Sequence, residues 1–318
     1  NEQSNQIGSE KEIIIESPIL SDDVNKITIK IDEQKINNSE QTVIGIFDPE
    51  DNNFNLNMWL ETDGKDIKNI LKRINKLKLS ELSENLLFQV LFTNAHPPKT
   101  NLTASEFLKI KIDWLIKNRR FQDLETLLIN NPTMGQEEKA IKFLIDEYLS
   151  SADIKSACEK TNFIGKNTQN DYLDKFTVYC LINNDQKNEA QLILDLLIER
   201  GLKDKFFEDK INFLMGVTEE TTQKILDDNL LNFYLSHITN SNFEYEPSDK
   251  TDQHIWRYLS SANLIQINDF ENEDVILAYE QAAAENSFEK SEIYKIYLKI
   301  YFNFNQLINV KEVYKNLP

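Results

Sequence analysis

The stretch 107–238 repeats on itself every 33 residues without a gap, and that period constrains the fold more than any other feature of the chain. Windows beginning at Phe107, Ala140, Leu173 and Phe206 align so that three columns are apolar in every copy. The columns are Ile112, Ile145, Val178 and Ile211; then Leu115, Tyr148, Leu181 and Leu214; then Ile116, Leu149, Ile182 and Met215. They stand at i, i+3 and i+4, on one face of an α-helix. A polar break follows in each copy (KNRR, SSAD, NNDQ and the less polar GVTE), and a second helical stretch begins after it. A helix pair recurring at this length predicts a mainly α chain, an α-solenoid of antiparallel hairpins that bury their apolar faces against one another. The period is firm in the first helix of each pair and fades in the second, where Lys160, Thr161 and Asp227 fall at positions apolar in other copies.

Composition agrees with a helical reading. Gly and Pro number only 7 each in 318 residues, too few for the turns of an all-β sandwich or barrel. Apolar residues at 40% supply a core, and 10% aromatics argue against disorder. The 53 acidic and 35 basic residues give a net charge of −18, which repels phosphate backbones and anionic lipid. Two basic stretches run against that mean, 65–78 (KDIKNILKRINKLK) and 117–120 (KNRR). In the first the cations alternate with apolar residues at helical spacing, so it reads as the solvated face of a helix, and nucleic-acid binding is not expected. No apolar run reaches the roughly 18 residues of a membrane-spanning helix, so no transmembrane segment is expected.

Around the repeat the grain changes. Residues 1–10 (NEQSNQIGSE) read as a disordered tail. Over 11–61 the runs EIIIE, KITIKI, TVIGIF and FNLNMWL are β-branched or alternating, with Ile27, Ile29 and Ile31 at the period of a half-buried strand. They predict a small β-rich N-terminal arm that packs against the first helices or runs extended along them. A helical cap follows over 62–106: Ile67, Ile70, Leu71, Ile74 and Leu77 form one stripe after a Thr62 or Asp63 N-cap, and Ser80 opens a second helix that ends before His96 and its two prolines. After the repeat, 239–253 reads as a loop and 254–318 as a C-terminal helical block whose last stretch breaks near 303–305. There Tyr294, Tyr297 and Tyr301 make an aromatic face with two readings, core packing or an exposed interface.

The search for chemistry returns little. His96, His237 and His254 have no second ligand or carboxylate at a recognised spacing, and no phosphate loop, nucleophile elbow or calcium loop is present. No cofactor, metal or catalytic residue is therefore expected. The two cysteines, Cys158 and Cys180, each lie 11 residues from a turn placed near Gln169. Equal distance on antiparallel arms brings them to similar height, as a disulfide requires. The other reading is a pair of buried free thiols. A disulfide would imply an oxidising compartment. The chain begins with Asn1 rather than Met, as after removal of a signal peptide or trimming of a longer chain.

The repeat unit resembles the tetratricopeptide class of α-solenoids: two helices per unit of nearly this length, with a small residue early in the second helix at Ala157 and Ala190. Leu124 and Gln223 depart from that pattern, as do Ile112, Ile145, Val178 and Ile211, where the family prefers Gly or Ala. A second resemblance, in the segments MWLETDGKDIKNIL and NLLFQVLFTNAHPP and in the two cysteines, is to exported helical-repeat proteins of alphaproteobacteria. It implies the periplasm as an address, with the cytoplasm as the alternative. The expectation is a non-enzymatic interaction or scaffold protein with a protein or peptide partner. The alternatives are an envelope-acting hydrolase using Asp or Glu, and a carrier of an apolar ligand.

Overall fold

The structure, a computed structural model, describes residues 42–132, 137–165, 168–248, 250–265, 273–285, 287–288, 290–299 and 304–311. The chain divides into Asn1–Glu40 and Gln41–Pro318, and everything described belongs to the second unit. The tail expected at 1–10 and the strands expected before residue 42 lie outside the described residues.

The described chain is mainly helical. Helix α1 (Gly64–Ile74) starts where the Asp63 carboxylate accepts the Lys65 amide at 2.8 Å. Ser80 caps α2 (Glu81–Phe92), and a reciprocal box of Thr103 and Glu106 caps α3 (Ala104–Lys117), satisfying amides that the first helical turn leaves free. Then come α4 (Phe121–Asn130), α5 (Glu138–Ser150), α6 (Ile154–Glu159, continued by a 3-10 turn at Lys160–Phe163), α7 (Asp171–Asn183), α8 (Lys187–Glu199) and α9 (Lys205–Met215). The α3–α4, α5–α6 and α7–α8 turns each hold one left-handed residue: Arg119 (φ 53°), Ala152 (φ 59°) and Asp185 (φ 60°). In each turn the next amide donates back into the preceding helix: Arg120 to Leu115 at 2.9 Å, Asp153 to Tyr148 at 3.0 Å, Gln186 to Leu181 at 2.8 Å. These bonds satisfy end carbonyls and reverse the chain.

Two expectations are corrected. The helix expected after α9 does not form over 217–229. Gly216, at φ 79°, ends α9. Beyond it, side chains of α9 take up the backbone groups a helix would have used. Asp209 accepts the Thr222 amide and Thr221 hydroxyl at 2.7 Å, and the Lys210 ammonium donates to the Thr222 carbonyl at 2.5 Å. Helix resumes at α10 (Leu230–Ile238), capped by Asn229. The second correction concerns the β-rich arm. Among the described residues no strand forms, and 42–47 meets the loop after α2 through isolated bridges, Ile44 with Ala95 and Phe47 with Thr93. The approach is close: a Cβ on Gly45 would stand 2.6 Å from the Asn94 backbone. Residues 54–60, alternating as they are, fold as turns, because the Asn55 side chain accepts the Asn57 amide at 2.9 Å and supplies a local bond in place of a ladder.

Two apolar clusters fill this body. One joins Ile44 and Ile67 to α2, α3 and α4 around Phe88, Phe92 and Phe107; the other runs from α5 through α7 to α10 around Ile145, Phe176 and Phe233. The first apolar column, Ile112, Ile145, Val178 and Ile211, is buried throughout. Cys158 on α6 and Cys180 on α7 are joined by a disulfide, sulfur to sulfur 2.06 Å. After the irregular segment that follows α10, α11 (Gln253–Ser261) packs against α5, several helices back in sequence. A purely nearest-neighbour stack would not bring these two together. The end of the described chain holds α12 (Glu273–Ala284), α13 (Lys290–Lys299) and α14 (Phe304–Ile308), with Trp256, Tyr279 and Phe288 as its core. Tyr294 and Tyr297 are 64% and 40% exposed, so they do not pack into it; Tyr301 lies outside the described residues. No described helix is long and apolar enough to cross a membrane.

Candidate functional site

The structure separates the three histidines. His96 Nδ1 lies 3.3 Å from the Thr42 carbonyl, in the loop before Pro97. His237 Nδ1 lies 2.7 Å from the Tyr258 hydroxyl, and burial lowers its pKa. His254, at the start of α11, meets two carboxylates: Nε2 is 3.3 Å from Glu147 Oε1 and Nδ1 is 3.4 Å from Asp252 Oδ1. Burial alone would lower its pKa, but hydrogen bonds to Asp252 and Glu147 outweigh it and raise the value to about 9, so the ring is an imidazolium at neutral pH. Arg257, one turn on, places Nη1 2.5 Å from Glu147 Oε2. Burial works to raise Glu147, which is 4% exposed, yet His254 and Arg257 hold it below the ordinary carboxylate value. Beside it Asp146 accepts from the Tyr172 hydroxyl and from Lys142. The cluster is neutralised from within, and it ties α11 to α5.

General acid chemistry needs a carboxyl with a raised pKa. Every described carboxylate that is displaced goes the other way, Asp63, Glu106, Asp204 and Asp209 included, because backbone amides, hydroxyls or neighbouring cations bond the charged form. Among the described residues no group of three or more His, Cys, Asp or Glu is placed to hold a metal ion. Two fully buried lysines stand out. The Lys111 ammonium donates to the Ile44 carbonyl at 2.6 Å and lies 4.5 Å from the Phe107 ring centre; burial pushes its pKa down to about 7. Lys210 anchors Thr222 in the same manner, with burial lowering its pKa and Asp209 opposing that shift. Both fasten irregular backbone to a helix.

The two basic stretches of the sequence meet between α1 and α3. Lys68 reaches Glu106 at 2.9 Å near the start of both helices, and Lys117 donates to the Asn75 carbonyl at 3.2 Å near the end of both, so the helices run the same way. Between these links Ile67 of α1 packs into the apolar cluster that holds Phe107 and Trp114 of α3, and the facing rows leave a space open. The space between them is a cavity of about 350 Å³. Lys68, Leu71, Lys72 and Asn75 form one wall and Ile110, Asp113, Trp114 and Lys117 the other. Each row has the spacing i, i+3, i+4, i+7, one face of a helix. Trp114, stacked on Phe88 at 5.7 Å, is the rigid part of the floor. A smaller cavity of about 80 Å³, lined by Ile74, Leu77, Leu79, Leu87 and the carboxylate of Glu84, shares Asn75, Trp114 and Lys117 and prolongs the groove. Asp113, the acid in the wall, is paired with Lys139 at 2.7 Å, which leaves the rim cationic.

Sequence reasoning had singled out both basic stretches without joining them, and it missed Trp114, Lys111 and the Glu147 cluster. One signal was available: Lys111 and Lys210 occupy the same column of the repeat alignment, in its first and last copies. No protein family, curated protein or solved structure matches this chain.

Proposed function

We propose that this chain is a non-enzymatic interaction or scaffold protein built on degenerate, tetratricopeptide-like helix pairs. The observation that carries the reading is the groove between α1 and α3: an apolar floor under a cationic rim, on a chain of net charge −18. Support for the repeat comes from its turns. Arg119, Ala152 and Asp185 fall one period apart and share a left-handed backbone. The fourth copy leaves the pattern, turning at Gly216 and forming no second helix. The chain is thus three hairpins and a closing segment, with α11 folded back on α5 in place of further stacking. The disulfide favours an oxidising compartment, the periplasm being the one implied by the resemblance to exported proteins.

The downward-shifted carboxylates favour binding over Asp/Glu hydrolysis. Cross-linking of the native protein in extracts of its source, followed by mass spectrometry, tests the proposal. A partner joined through 64–118 is expected; a monodisperse chain that captures nothing across several extracts overturns it.

A further inference from the structure

We infer that the groove between α1 and α3 takes a single acidic amphipathic helix of a partner protein. The inference rests on the binding reading above and specifies its occupant. Side-chain rows at i, i+3, i+4 and i+7 on two helices running the same way make paired ridges, and the hollow between such ridges accepts the ridge of a third helix. Helices in direct contact would have filled that hollow with their own side chains. Here Lys68–Glu106 links α1 and α3 at one end and Lys117–Asn75 at the other, Ile67 packs into the core, and a hollow remains between the facing rows.

Size and chemistry agree on the occupant. The cavity of about 350 Å³ sits at the low end of pockets that hold a whole small ligand, and its prolongation toward Leu79 and Leu87 makes it a channel rather than a cup. A row of large apolar side chains from one helix face suits such a channel. Leu71, Ile110 and Trp114 would receive them, Trp114 being the aromatic anchor of the kind that dominates binding energy.

Charge then chooses the sign of the flanks. Lys72 and Lys117 are exposed at the rim; of the two carboxylates in the walls, Asp113 is paired with Lys139 and Glu84 lines the prolongation, so Lys68, Lys72 and Lys117 still outnumber the acids. Lys65, Arg73, Lys76 and Lys78 add positive charge beyond the rim, with Asp66 as the lone acid of 65–78. The rest of the chain is acidic, so an acidic helix is repelled everywhere else and steered here. A nucleic-acid strand would meet the same repulsion over the rest of the surface and would gain nothing from a floor of Leu, Ile and Trp. An anionic membrane is flat and cannot follow a slot between two helices.

The test uses the full chain and a synthetic peptide of about 18 residues, five helical turns, with Leu at i, i+3, i+4 and i+7 and Glu on the flanks. The controls are a scrambled peptide of the same composition, the same Leu pattern with Lys for Glu, and vesicles of phosphatidylglycerol in phosphatidylcholine. Binding is read by anisotropy of labelled peptide at low and high salt. The Leu–Glu helix is expected to bind at least about tenfold more tightly than either peptide control, and to lose about tenfold in Lys72→Glu/Lys117→Glu or in high salt. Equal binding by the scrambled peptide, or an unchanged affinity in the double variant, overturns the inference. Vesicle binding that the double variant abolishes, with no peptide binding, replaces the helix by a lipid surface and also overturns it. A native partner that cross-links equally to wild type and double variant overturns the groove assignment while leaving the scaffold reading intact. Catalytic turnover without any captured partner overturns the scaffold reading itself.

Discussion

The α5–α11 junction and the α1–α3 groove are both places where charged side chains connect helices, and they are opposites. At the junction every charge has its counter-charge inside the protein: Glu147 faces His254 and Arg257 and is shut away from water. In the groove a hollow with Leu71, Ile110 and Trp114 in its lining stays open between the helices, and Lys68, Lys72 and Lys117 outnumber Asp113 and Glu84 around it. Charge consumed internally holds structure; charge left over an apolar floor is free to recognise something. The difference separates a structural ion cluster from a binding site, although both are clusters of ionisable groups.

The sharpest way to break the comparison is Glu147→Ala, which removes the buried carboxylate that both His254 and Arg257 face. It is expected to cost about 3–4 kcal/mol in urea unfolding. A loss below about 1 kcal/mol would make the junction as dispensable as a surface pair. Next in size is the Cys158→Ala/Cys180→Ala double variant. The bridge spans 22 residues, and its removal is expected to destabilise the chain by about 3 kcal/mol, seen equally as a lower unfolding midpoint of the wild type in reductant.

Titration sharpens the contrast, because the half-buried His254 and the buried Lys111 respond to pH in opposite senses. His254 has a native value of about 9, above its ordinary 6.5. Its contribution is whole below about 6.5 and is lost as pH rises through about 9. Lys111 has a native value of about 7, below its ordinary 10.5. Between these values the unfolded chain binds the proton that the native chain has released, so this group makes stability rise with pH. Urea midpoints from pH 7 to 10 should therefore fall less steeply in His254→Gln than in wild type, and more steeply in Lys111→Met. The same slope in all three proteins would remove both assignments.

The smallest effect on stability is expected in the groove. Lys72→Glu should shift unfolding by no more than about 0.5 kcal/mol, since its side chain is exposed, whereas Lys117→Glu also removes the bond to the Asn75 carbonyl and adds to the loss. Amides of α1 should exchange with solvent faster than those of α5, because α1 is tied down by side chains and little buried area. Protection of α1 equal to that of α5 would mean that the groove is a rigid seam of the core.

Much of this molecule was present in the sequence. Helical class, the buried column of Ile112, Ile145, Val178 and Ile211, and the caps at Asp63 and Ser80 follow from spacing and side-chain chemistry within a turn or two of the chain. Such features are local, and local rules reach them. The arm at 54–60 misled for the same reason: alternation favours a strand only if a partner edge exists, and Asn55 bonded its own backbone first. What the tertiary structure alone decided is which distant charges meet. Glu147 lies in an ordinary helical stretch and becomes the centre of a cluster only when α11 returns across more than a hundred residues. Lys72 reads as part of a solvated helix face and Lys117 as the start of a polar break, and they become one rim when α1 lies beside α3. Periodicity records which side of a helix faces inward; it carries no term for what stands opposite, and on that the electrostatics of both regions depend.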